Sequence, residues 1–171
     1  MTVTYPQLQQ LRRELMAMTV SQSSPWDVTL FPRGAPYKAL MLLAISDAVS
    51  QGHYSTGVIV LDEWLVQRYS LYVNACGPNV HNQPVIPFNY LRYEAFWQLM
   101  PKSVAAKQYI ESNDIRSIKS YNQHVEGAIL RSDLYLALSA DEPRGIIRDC
   151  ILHTFFGASL HDVLWDIQHI Q

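Results

Sequence analysis

Tyr37-Lys-Ala-Leu-Met-Leu-Leu-Ala-Ile-Ser-Asp-Ala-Val-Ser50 is the stretch on which the fold turns. Leu40, Leu42, Leu43, Ile45 and Val49 cover most of the circumference of a helix running from Pro36 to about Gly52. A helix that is apolar all round has to lie inside a protein. Its longest apolar run, Ala39–Ile45, is seven residues, against the roughly 20 that a bilayer needs. The pattern predicts the central helix of a globular core and no membrane span.

Working outward, Pro6 suits the first turn of a helix, and Leu8, Leu11, Leu15 and Met18 recur at spacings of three and four. Residues 19–36 hold three prolines and a glycine and read as a loop. Gly57–Leu61 reads as a short strand, after which Asp62 caps a helix carrying Trp64, Leu65, Tyr69 and Val73. Cys76–Pro87, with three prolines and two asparagines, reads as a long loop of the kind that often carries function. Pro87–Leu91 is expected as a single turn. Glu94–Leu99 is expected as a strand with either Phe96 and Leu99 or Trp97 inward. Residues 101–127 show no sustained periodicity. Ser132 or Asp133 caps a short helix through Leu134, Leu136 and Leu138, and Pro143 opens another that ends at Gly157. Ser159 to Asp162 resembles a capping box opening a last helix from Leu160 to Ile170. The expected fold is mainly α with minor β: one compact helical domain over residues 1–171, with short strands or a hairpin.

Length and composition agree with one domain: 171 residues, 49% hydrophobic and 16% charged, which excludes intrinsic disorder. Thirteen Lys and Arg against fifteen Asp and Glu give a formal charge of −2. That argues against a strongly basic, non-specific nucleic-acid binder and makes any such site local. Acids gather in the last third, while residues 92–131 carry a mild excess of bases, which a solvated surface explains equally well. Two cysteines, Cys76 and Cys150, make no disulfide framework, and no apolar leader precedes Arg12 and Arg13. A cytoplasmic location is expected.

Phosphate-loop, dinucleotide-binding, zinc-protease and nucleophile-elbow motifs are all absent. His161 and His169 stand eight apart, too far for one ion on one helix, so no metal and no cofactor are expected. Cys76 near His81 is a weak nucleophile-and-base pattern, and catalysis is not expected on this chain. Binding is better supported. Tyr37 and Lys38 open the central helix, where free N–H groups and the helix dipole favour an anion, or where they simply shield a buried helix start. In Pro84-Val-Ile-Pro-Phe-Asn-Tyr-Leu91, two prolines stiffen a segment presenting Ile86, Pro87 and Tyr90, either as a shallow apolar pocket or as packing against Phe96 and Trp97.

The order Arg33-Gly-Ala-Pro-Tyr-Lys-Ala-Leu-Met-Leu-Leu43, a short Ile/Leu strand, Pro87-Phe-Asn-Tyr-Leu91, Phe96-Trp-Gln-Leu99 and a helix after Arg131-Ser132 resembles the sulfur-binding domain of phosphorothioate-dependent type IV restriction endonucleases. The resemblance spans about residues 33–156 and rests on the order and spacing of short motifs. It implies recognition of double-stranded DNA in which sulfur replaces a non-bridging phosphate oxygen. It further implies Pro87 as the pocket proline with Ile86 and Tyr90 as walls, and backbone or base contacts from Arg33, Tyr37, Lys38, Asn89, Arg131 and Ser132. Family members carry an HNH nuclease domain after this one. No such motif stands in residues 1–171, so the expectation is a recognition module, with a homodimer left open. The same fold reading plain or otherwise modified DNA, or an aromatic loop serving a protein partner, are the competing readings.

Overall fold

The structure, a computed structural model, describes residues 1–171 except Ser24 and Asn82; these two fall in stretches read above as loops and lie outside the described residues. α1 (Tyr5–Met16) opens with a capping box in which Thr4 Oγ1 accepts from the Gln7 N–H and Gln7 Oε1 accepts from the Thr4 N–H. It buries Leu8, Leu11 and Leu15. α2 (Tyr37–Ser50) is buried without interruption from Ala39 to Val49, as its all-round apolar surface requires. β1 (Val58–Ile59) is shorter than expected, and α3 (Glu63–Ala75) starts where the Asp62 carboxylate accepts from the Leu65 N–H at 3.0 Å.

The segment expected as a single turn is a helix, α4 (Val85–Tyr90), continued by a 3-10 turn over Leu91–Tyr93. Pro87 is tolerated inside it because it occupies the first turn, where a backbone N–H has no intrahelical partner to lose. β2 (Trp97–Pro101) begins later than expected; Phe96, Trp97 and Leu99 are all buried, with Trp97 Nε1 donating to the Phe88 carbonyl at 2.9 Å. Residues 101–127, unreadable in sequence, hold α5 (Val104–Ser112) and α6 (Ile118–His124), capped by the Ser103 and Ser117 hydroxyls, and the start of β3 (Val125–Leu130). β3 lies between β1 and β2 and pairs antiparallel with both, Ile59 opposite Ala128 and Trp97 opposite Leu130. β2 and β3 are joined through α5 and α6 rather than by a tight turn.

α7 (Ser132–Ser139), α8 (Asp141–Phe155) and α9 (Ala158–Asp166) complete a mainly helical domain with a minor sheet. α9 starts two residues earlier than expected and stops at Asp166, followed by a 3-10 turn. Its N-cap is Gly157, with no side-chain cap bond, so Ser159 does not act as a capping box. Glycine is required there by close packing: a Cβ on Gly157 would stand 1.8 Å from the Thr29 carbonyl oxygen, while its N–H donates to Leu30.

α2 sits at the centre, packed by α3, α4, α7 and α8. Its one acidic side chain, Asp47, is 1% exposed and meets two arginines that are also buried: Arg148 at 2.8 Å and Arg68 at 3.3 Å. Tyr72 donates its hydroxyl to the same carboxylate and receives Arg148 Nη2 at 2.9 Å. The guanidiniums then reach the carbonyls of Leu164, Ile167 and Ile170, so one cluster joins α2, α3, α8, α9 and the tail. Removing one member of a buried pair strands the others. Asp47→Ala should therefore lower unfolding free energy by about 3–5 kcal/mol in urea melts, whereas Asp141→Ala, at an exposed pair, should change it by less than about 0.5 kcal/mol.

Candidate functional site

A groove of about 770 Å³ opens between the loop after α1, the first turn of α2, and α4 with its 3-10 extension. That volume is in the range of small-ligand sites and well beyond a single atom. Ile86, Pro87 and Tyr90 form one wall, Tyr37 and Lys38 a second, and Thr19, Val20, Ser21, Ser23 and Trp26 the third; Ala35, Tyr93 and Arg116 complete the lining.

Each wall has a local cause. Pro87 touches the groove but is itself buried in α4, as are Val85 and Phe88, so the accessible part of this wall is made by half-buried Ile86 and Tyr90. Tyr37, at the first position of α2, donates its hydroxyl to the His81 carbonyl at 3.0 Å and packs edge-on against Trp26, with ring centres 5.6 Å apart. The loop wall is held to α2 by the Ala35 N–H donating to Ser21 O at 3.0 Å. Gly34 makes that approach possible: its φ is 102°, and a Cβ there would stand 2.8 Å from Ser21 O.

Lys38 lines the groove, yet its charge is spent locally. Its ammonium donates to Thr19 O at 2.8 Å, Thr19 Oγ1 at 3.3 Å and Glu94 Oε1 at 3.1 Å, which uses all three of its donors. The same Glu94 oxygen accepts from the Thr19 N–H at 3.1 Å. Arg116, by contrast, is exposed and reaches only the Tyr90 hydroxyl, at 3.4 Å. Below the rim, Tyr93 donates to Asp114 at 2.7 Å. Although burial works the other way, hydrogen bonds from Tyr93, Asn89 and Tyr90 and the Arg92 charge hold the Asp114 carboxyl below its ordinary value. Burial and the neighbouring Asp114 push the Tyr90 phenol up; for Tyr93 the Asp114 hydrogen bond leads. Both remain neutral hydroxyls.

Of the residues singled out in the sequence, Ile86, Pro87, Tyr90, Tyr37 and Lys38 come together here. Four stand elsewhere. Asn89 is 1% exposed and turned inward, accepting from the Ile115 N–H and donating to Asp114. Arg33 lies over the Phe155 ring, 5.5 Å from its centre. Arg131 is clamped between Glu14 and Asp133, whose hydrogen bonds push its guanidinium still higher, and Ser132 is exposed at the first position of α7. Trp26, Tyr93 and Arg116 belong to the groove and were not anticipated. Trp26 carries a usable signal, a large aromatic following Pro25 in an otherwise polar loop; Arg116 sits in the segment without periodicity.

Among the described residues no group of three or more His, Cys, Asp and Glu side chains could hold a metal ion, and no helix is long and apolar enough to cross a membrane. Cys76 is buried and its thiol is pushed up to about 12, the opposite of an activated nucleophile. No family model matches the chain, and no curated protein matches it either.

A thiol so placed stays protonated and shielded until the fold opens. At pH 8, iodoacetamide should leave Cys76 unmodified in the native protein and alkylate it in urea, read by mass spectrometry of tryptic peptides. Rapid native labelling would contradict its burial.

Proposed function

We propose that the groove reads DNA carrying phosphorothioate linkages, as the recognition module of a type IV restriction system, with no catalysis of its own and a cytoplasmic location. The observation that carries this reading is the meeting of the Ile86–Pro87–Tyr90 wall with the Tyr37–Lys38 helix start in one open groove with a single exposed cation, Arg116, on its rim among the described residues.

The physics of discrimination follows from the lining. Sulfur is larger, softer and a poorer hydrogen-bond acceptor than oxygen, so an apolar wall costs it little hydration. The same wall strips an oxygen of water and returns nothing. A difference of about 1.5–3 kcal/mol corresponds to roughly 10- to 150-fold in affinity. The groove is large enough to take the sugar and phosphate on either side of the sulfur as well.

General attraction to the backbone needs cations without partners. Lys102, Lys107, Arg116 and Lys119 are exposed and form no ion pair among the described residues, whereas Lys38, Arg68, Arg92, Arg131, Arg144 and Arg148 are all paired. These four bases lie on or beside α5 and α6, and of them Arg116 also lines the groove. In a chain of net charge −2 these bases support a local attraction to a phosphate backbone, offset in the same stretch by exposed Glu111 and Glu126.

Fluorescence anisotropy with matched duplexes at one salt concentration tests the reading. The sulfur-modified duplex should bind at least about tenfold more tightly than its unmodified twin. Tyr90→Asp should abolish that preference, and Arg116→Ala should weaken both duplexes and reduce the salt slope by about 0.9. Equal affinity for the two duplexes would favour a reader of plain DNA, and no binding to either would favour a protein partner; both results defeat the proposal.

A further inference from the structure

We infer that Glu94 sets the selectivity of this groove by cancelling the charge of Lys38, so that the groove denies an ordinary phosphate backbone the attraction it would otherwise receive. The inference rests on the reading of the groove as a DNA-backbone site and names the residue that governs its discrimination.

Lys38 and Glu94 are only 12% and 11% exposed at their side chains and face one another at 3.1 Å, Lys38 lining the groove and Glu94 standing behind it. An isolated ammonium at that position, beside the apolar wall of Ile86 and Pro87, would be a general phosphate anchor. Both linkages carry one negative charge, but oxygen accepts a hydrogen bond from an ammonium better than sulfur does, so its pull would favour the ordinary oxygen linkage. With Glu94 opposite, the pair is neutral, and every Lys38 donor is occupied by Thr19 or Glu94. An oxygen entering the groove then meets apolar surface and a neutralised cation and recovers little of its lost hydration. A sulfur gives up less hydration to begin with. Withholding a donor that would favour oxygen leaves the apolar wall to decide between them. Selectivity depends on the difference in affinity, and here it is gained by withholding attraction from the wrong ligand.

Glu94→Gln tests this cleanly because glutamine keeps the shape and an accepting oxygen for Lys38 and Thr19 while removing the charge. The unmodified duplex should bind about three- to tenfold more tightly at low salt, with the log–log salt slope steeper by about 0.9, and the ratio of modified to unmodified affinity should fall. The gain should vanish in a Lys38→Met background, where there is no cation to release. Glu94→Asp, which retains the charge, should keep the selectivity of the original protein; loss of selectivity there would assign the effect to disturbance of the loop wall. The same rise in affinity with and without Lys38 would reduce Glu94 to one acid among many near DNA and overturn the inference, as would an unchanged ratio in Glu94→Gln. If the original protein shows no preference for sulfur, the reading of the groove fails on its own arm of the experiment, whatever Glu94 does to plain DNA.

Discussion

The buried contact between Asp47 and the guanidiniums of Arg148 and Arg68 is the constraint on which the rest of the molecule depends. α2 is enclosed along its length, so a carboxylate on it has no route to water. Burial alone pushes that carboxyl above its ordinary value, while Arg148, Tyr72 and Arg68 work to keep it charged. Two cations against one anion leave a surplus of positive charge in the core. The carbonyls of Leu164, Ile167 and Ile170, at the end of α9 and just beyond, take up three further donors at the negative pole of that helix. A core built this way has one arrangement of α2, α3, α8 and α9 that satisfies its charges. Sliding α2 by one turn would leave several unpaired.

That anchoring bears directly on the groove. Tyr37 and Lys38 are the first residues of α2, and Asp47 lies about 15 Å further along the same rigid rod. Fixing one end of the helix fixes the other, which forms a wall of the groove. α4 packs on α2 as well, with Phe88 buried edge-on to Trp97 beneath the apolar wall. Two of the three walls are therefore extensions of the core. The proposed discrimination between sulfur and oxygen would draw on that rigidity, since a yielding wall would close around either.

How much of this was legible in the sequence varies with how much each element depends on its neighbours. α2 announced itself because eleven consecutive buried positions leave no polar face to hide, and α3 because Asp62 stands directly before an apolar pattern. α5 and α6 were illegible for the converse reason. They bury two residues and one residue respectively, Ala106 with Ile110 and then Tyr121, too few to create a period, although Ser103 and Ser117 do mark their starts. α4 differs from the single turn expected over Pro87–Leu91 because it starts two residues earlier, with Pro87 in its first turn, where a helix accepts proline. Arg68 and Arg148 carry no mark of their burial, since nothing in a linear pattern distinguishes a charge facing water from one facing a buried partner on another helix. The groove was half legible for the same reason. Ile86, Pro87, Tyr90, Tyr37 and Lys38 are chemically conspicuous in sequence, while Arg116 and Glu94 acquire meaning only from residues far along the chain that fold against them.

The third wall differs in kind. The loop after α1 carries Thr19, Ser21 and Trp26 to the groove, and what binds it to the rest is local: the Thr19–Lys38–Glu94 contacts, the Ala35 to Ser21 hydrogen bond, and Trp26 packed edge-on to Tyr37 and Phe31. Lys38 and Glu94 thus serve two ends at once, holding this wall in place and removing net charge from it. These roles separate chemically because the first depends on hydrogen bonds that a neutral amide can also make, whereas the second depends on the formal charge alone. Truncating Lys38 strips the loop of its ties and leaves Glu94 without its cation in a poorly hydrated place, so its consequences mix structure with electrostatics. The carboxylate is the cleaner handle, since an amide in its place can keep the hydrogen bonds that hold the wall while removing the charge.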